Sequence, residues 1–131
     1  MSRLKTDTER FIAGPVADGP TLTASFRFPE EYLGFQGHFP GRAILPGACQ
    51  IQCALCTIEK AEQSRVALKE IVLAKYYAPV LPDEEFHCTL KEQGREEDSI
   101  TFKASLTKGS VKVTELKLRV SLVGAEQGGE L

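Results

Sequence analysis

The run Phe35-Gln36-Gly37-His38-Phe39-Pro40-Gly41-Arg42-Ala43-Ile44-Leu45-Pro46-Gly47 holds a titratable imidazole in a loop stiffened by glycines and prolines. Directly after it comes an apolar stretch, Ala48 to Ile58, whose only polar residues before Thr57 are Gln50 and Gln52. Pro46-Gly47 is a helix-start signal, and the spacing predicts a helix over about 47–63, with charges beginning only at Glu59. A helix apolar nearly all round belongs in the middle of its domain, so Gln52 is expected to be a buried, hydrogen-bonded amide. Its first backbone N–H groups have no acceptor within the helix, and the helix dipole favours negative charge there. The chain therefore places a proton carrier, His38, just upstream of an anion-friendly helix terminus.

Working outward, most of the remainder has the period of two that marks strands. Thr21 to Phe28 alternates with Leu22, Ala24, Phe26 and Phe28 inward. Ala67 to Val80 reads as a long strand ending at a turn over Leu81-Pro82-Asp83-Glu84. Glu85 to Glu92 follows with Phe86, Cys88 and Leu90 on one face, then a charged turn over 94–98. Ser99 to Thr107 alternates through Ile100, Phe102, Ala104 and Leu106. Lys108-Gly109-Ser110 has the composition of a tight hairpin, and Val111 to Val123 alternates with one bulge. Residues 1–20 read as partly irregular, with turn signals at Gly14-Pro15 and Gly19-Pro20, and 124–131 as a frayed tail. One buried helix against antiparallel strands is an α+β domain, and 131 residues make a single domain over 1–131.

Composition narrows the function classes. A net charge of −2, 42% hydrophobic and 26% charged residues are ordinary for a soluble enzyme or binding domain, and argue against nucleic acid as partner. No apolar run is long enough to span a bilayer, and the polar N-terminus lacks a secretory apolar region, so a cytoplasmic protein is expected. Cys49, Cys53 and Cys56 fall at i, i+4, i+7, one helical face, and with Cys88 read as buried small hydrophobes rather than as a metal or redox site. No disulfide, metal or cofactor is expected. His87, between Phe86 and Cys88, faces away from the core by parity.

The segment 35–52 resembles the active-site stretch of bacterial 3-hydroxyacyl-acyl-carrier-protein dehydratases, which have the hot-dog fold, a long central helix wrapped by a curved antiparallel sheet. A weaker likeness runs through Lys75-Tyr76-Tyr77-Ala78-Pro79-Val80-Leu81-Pro82-Asp83-Glu84-Glu85-Phe86, similar to the family's strand–turn–strand after the helix. By position, the resemblance implies that His38 is the catalytic base, Gly47 offers the backbone N–H that binds the thioester oxygen, and Gln52 stands where the family has an acidic residue. It also implies a homodimer with a continuous sheet and room for a higher oligomer, the histidine of one subunit facing position 52 of the other. The chain departs from the family pattern at Gln52 and, to a lesser degree, at Ala43, where the family has proline.

These residue types suit β-elimination. A base removes the C2 proton, the thioester oxygen takes up the developing negative charge, and the 3-hydroxyl leaves as water. A neutral amide at position 52 cannot act as a general acid, though it can hold a hydroxyl or a water. Three readings stay open: a dehydratase that tolerates glutamine, a hot-dog acyl thioesterase in which Gln52 orients water, and a non-catalytic acyl-thioester-binding relative. The substrate would be carried by acyl-carrier protein or coenzyme A. Arg42 and Lys75 are candidates for docking an acidic carrier, and Phe39, Tyr76 and Tyr77 for lining the acyl tunnel, with solvated charge and aromatic packing as the plainer alternatives.

Overall fold

The computed structural model describes residues 3–36 and 43–124. It holds two α-helices, α1 (Arg3–Glu9) and α2 (Gly47–Glu62), and six strands: β1 (Ile12–Asp18), β2 (Thr21–Arg27), β3 (Arg65–Tyr76), β4 (Glu85–Arg95), β5 (Ile100–Lys108) and β6 (Val111–Gly124). The strands form one antiparallel sheet in the order β1-β2-β4-β5-β6-β3. The chain has the hot-dog fold, with α2 packed against the sheet.

Helix α2 begins at Gly47 itself. Pro46 at its N-cap is extended (φ −65°, ψ 155°), and the helix stops where Gln63 turns left-handed (φ 54°) and returns its N–H to the Glu59 carbonyl. Cys49, Gln50, Cys53, Ala54, Cys56, Thr57 and Ile58 are buried. Of these, Cys49, Cys53, Ala54 and Ile58 form one core with Phe26, Phe86, Cys88, Leu90, Ala104 and Leu116, the inward residues of successive strands. All four cysteines are buried, as expected of small hydrophobes. Desolvation pushes the Cys56 thiol up to about 11 and the Cys88 thiol to about 12, so neither is a ready thiolate.

The alternation-based strands hold. Ala24, Phe26 and Phe28 are buried and Leu22 is half-buried. The expected bulge lies in β6, where the register slips between Leu106↔Thr114 and Thr107↔Lys112 and two consecutive residues, Val113 and Thr114, turn inward. Lys108 pairs with Val111 across a two-residue turn, with Gly109 at φ 56°. Strand β4 extends to Arg95 through an irregularity between Glu92 and Gly94, so the turn that follows is shorter than the sequence suggested.

Residues 3–18 are more regular than the sequence suggested, forming α1 and β1, while Gly19-Pro20 is the turn its composition signals. Gly14-Pro15 is no terminating turn; it is a bulge inside β1, where the register shifts between Ala13 and Val16 and Gly14 takes φ 95°. Pro15 is tolerated because β1 is an edge strand. A carboxylate ties α1 into the domain: Glu59 of α2 accepts from Lys5 (3.0 Å) with one oxygen and from the Val66 N–H (2.8 Å) with the other. The expected strand over 67–80 starts at Arg65 and ends at Tyr76; beyond it, the Tyr77 and Ala78 N–H groups both turn to the Val113 carbonyl.

Candidate active site

The helix start is held by a short chain of bonds. Leu45 donates its N–H to the Val80 carbonyl (2.8 Å), which fixes the loop as it enters α2. The Cys49 and Gln50 N–H groups both return to the Pro46 carbonyl (3.0 and 3.1 Å), and no side chain caps the helix. The N–H groups of Gly47 and Ala48 thus have no acceptor among the described residues, in the position where the helix dipole favours an oxyanion.

Gly47 is also a point of close approach. A Cβ placed there would lie 2.6 Å from the Tyr76 hydroxyl and 2.8 Å from the carbon that bears it. The Tyr76 ring therefore packs over the bare Cα, and a side chain at position 47 would displace it. Gly47, Tyr76 and Tyr77 line one open, largely apolar cleft of about 370 Å³, together with Ile44, Leu45 and Gln50. Three sequence-predicted residues are thus brought together by the structure.

Gln50, which sequence reasoning passed over, is the buried amide of the helix, 3% exposed. Its Nε2 donates to the Leu45 carbonyl (3.1 Å), and its Oε1 accepts from the Thr114 hydroxyl. Thr114 in turn pairs with Tyr76 across the β3–β6 ladder. One amide thus ties the helix start, the loop before it and the strand that carries Tyr76. The available signal was its offset: three residues past Gly47 lies on the same side of a helix.

Gln52 differs from expectation. It is half-buried, not buried, and its Nε2 contacts Cys56 Sγ at 3.4 Å. Five residues past Gly47 corresponds to about 140° around the helix, so within one chain it faces away from the cleft. It shares the less covered side of α2 with Ala48, Ile51 and Leu55. The Tyr77 hydroxyl is bonded to Glu115 (3.0 Å), with Lys112 over the ring. Lys75 is exposed on β3, opposite Glu115 in the ladder. His38, Phe39 and Arg42 lie outside the described residues. His87 sits half-buried on the face opposite Phe86 and Cys88. Among the described residues, no His/Cys/Asp/Glu group could hold a metal ion, and no helix is long and apolar enough to cross a membrane.

Residues 16–116 match the ApeI-like family, described as ApeI dehydratase. The 3-hydroxyacyl-[acyl-carrier-protein] dehydratase FabZ of Ehrlichia chaffeensis is 28% identical over 99 residues, covering 72% of this chain and 68% of that protein. Among solved structures, a mutant thioesterase from Pseudomonas aeruginosa superposes with a TM-score of 0.65 at 15% identity, over 86% of this chain and 81% of its own. A hypothetical thioesterase from Streptococcus pneumoniae, solved with coenzyme A, gives 0.64 at 8% identity, over 87% and 90%. At such identities the structural likeness speaks to the fold alone.

Proposed function

The chain belongs to the ApeI-like dehydratase family, and from that premise we propose that it dehydrates a 3-hydroxyacyl thioester, carried by acyl-carrier protein, to the 2-enoyl thioester in fatty-acid or polyene-type lipid biosynthesis. The observation that carries the proposal is the helix start, where the Gly47 and Ala48 N–H groups have no acceptor among the described residues and Gly47 lines an apolar cleft, directly after the segment of sequence that bears His38.

In this reading His38 takes the C2 proton as the C2–H electrons move onto the thioester oxygen, which the helix start receives. When the enolate collapses, its electrons form the C2–C3 double bond and the C3–O bond breaks. The imidazolium returns its proton to the departing hydroxyl, which leaves as water. Gln52 holds the 3-hydroxyl by hydrogen bonding without donating a proton as an acid would. No cofactor is needed for this balance. Phe39, Tyr76 and Tyr77 line the acyl path, while Arg42 and Lys75 meet the acidic carrier, or the phosphates if the carrier is coenzyme A.

The active unit is a homodimer. Edge strand β3 exposes Leu68, Ile71, Val72, Leu73 and Tyr76, and beside it α2 leaves Ala48, Ile51, Gln52 and Leu55 only partly covered. A long apolar edge is a liability unless paired, and a second copy pairing there would bring Gln52 of one subunit toward the loop of the other. A cytoplasmic location accords with a carrier-linked substrate.

Thioester hydrolysis is the second reading, favoured by the neutral side chain at position 52, which can orient water. Incubation with a 3-hydroxyacyl thioester, following enoyl product and free thiol in parallel, separates the readings. Enoyl product without thiol release is expected. Thiol release alone would establish hydrolysis, and neither product would leave an acyl-binding role.

A further inference from the structure

Resting on the thioester reading above, we propose that the Tyr76 hydroxyl is a second donor to the thioester oxygen, acting beside the Gly47 N–H. Tyr76 ends β3, and its backbone is held from two directions: it pairs with Thr114 in the ladder, and the next residue, Tyr77, donates its N–H to the Val113 carbonyl at 2.8 Å. The ring reaches over α2, so that the hydroxyl occupies the slot a side chain at Gly47 would fill, 2.6 Å from the Cβ position.

That distance bounds the geometry. Cβ and N of one residue are about 2.5 Å apart, given an N–Cα bond of about 1.46 Å and near-tetrahedral angles. The Tyr76 oxygen is therefore within about 5 Å of the Gly47 nitrogen. An acceptor hydrogen-bonded to both donors, at about 2.9 Å from nitrogen and about 2.7 Å from a hydroxyl, allows the donors to be up to about 5.6 Å apart. One oxygen can take both bonds.

The hydroxyl is also uncommitted. The neighbouring Tyr77 phenol is bonded to Glu115, whereas the Tyr76 phenol has no hydrogen-bond partner among the described residues. Phenylalanine would fill the same space and cover the same apolar surface. What tyrosine adds is a donor aimed at the mouth of the helix, in the cleft shared by Gly47, Leu45 and Gln50. A donor fixed by the scaffold favours the transition state, where the oxygen carries negative charge, over the neutral carbonyl of the bound substrate.

The test is Tyr76→Phe, which keeps the ring of a half-exposed residue and so leaves the fold in place, as an unchanged thermal midpoint will verify. On one 3-hydroxyacyl thioester, kcat should fall tenfold or more while KM stays within about twofold, the pattern of an interaction made in the transition state. Unchanged kcat and KM, or a raised KM with unchanged kcat, would overturn the role while leaving the dehydratase reading standing, since the wild type is assayed alongside. A wild-type protein that turns over no thioester would overturn both.

Discussion

The two sides of α2 contrast sharply. Toward the sheet, Cys53, Ala54 and Ile58 are fully enclosed, and buried polar groups of the helix are bonded: Thr57 to the Cys53 carbonyl, and Gln50 to Leu45 and Thr114. On the other side, Ala48, Ile51, Gln52 and Leu55 are only partly covered, and the neighbouring edge strand β3 exposes a row of apolar residues. One half of the helix is finished by its own chain, and the other is left open, on the side where the proposed dimer would close. The contrast teaches that burial within one chain identifies the fold, whereas the proposed site residues Gly47, Gln52 and Tyr76 sit where burial is incomplete.

The contrast breaks most easily on the finished side. Phe86 is fully buried, stacked on Phe26 at 5.5 Å between ring centres. Phe86→Ala should cost about 3–5 kcal/mol of unfolding free energy, read by chemical denaturation. A cost under about 1 kcal/mol would mean that this side is not the close-packed core described here.

The open side should respond in assembly rather than stability. Ile71 is 47% exposed on β3, so Ile71→Lys should leave the thermal midpoint of the folded chain nearly unchanged while halving the mass seen by light scattering at micromolar concentration. A wild-type protein that is already monomeric would remove both the dimer and the shared site.

How much of this was legible in the sequence follows the same division. Helix α2 was readable because Pro46-Gly47 marks its start and an apolar run fills it; β2, β5 and β6 were readable because each buries one face and so alternates. Strand β1 was not, since most of its residues are exposed and the Gly14-Pro15 bulge interrupts it. Helix α1 buries only Thr8, and is held partly by the Lys5–Glu59 pair from a distant element. Register shifts between Leu68 and Glu70 and between Ile71 and Leu73 scramble the period of β3. At the site, an almost uniformly apolar helix gives no phase with which to tell Gln50 from Gln52, so the buried amide was assigned to the wrong one. The approach of Tyr76 to Gly47 is a long-range contact that no local periodicity encodes.

The smallest expected effect lies at Gln52, on the open side. Gln52→Glu should raise the initial rate of enoyl formation several-fold, toward what a general acid contributes, with folding unchanged because the side chains are nearly isosteric. A rate that falls would give Gln52 its own role with a neutral group or a water, and an unaltered rate would place position 52 outside the site.

The central claim is that the loop before α2 supplies the base for β-elimination. The direct measurement is the initial rate of enoyl formation by His38→Ala beside the wild type on one 3-hydroxyacyl thioester, with thermal midpoints recorded for both. The account predicts a loss of about 10²–10⁴-fold with the fold intact. Full activity in the alanine variant would contradict it.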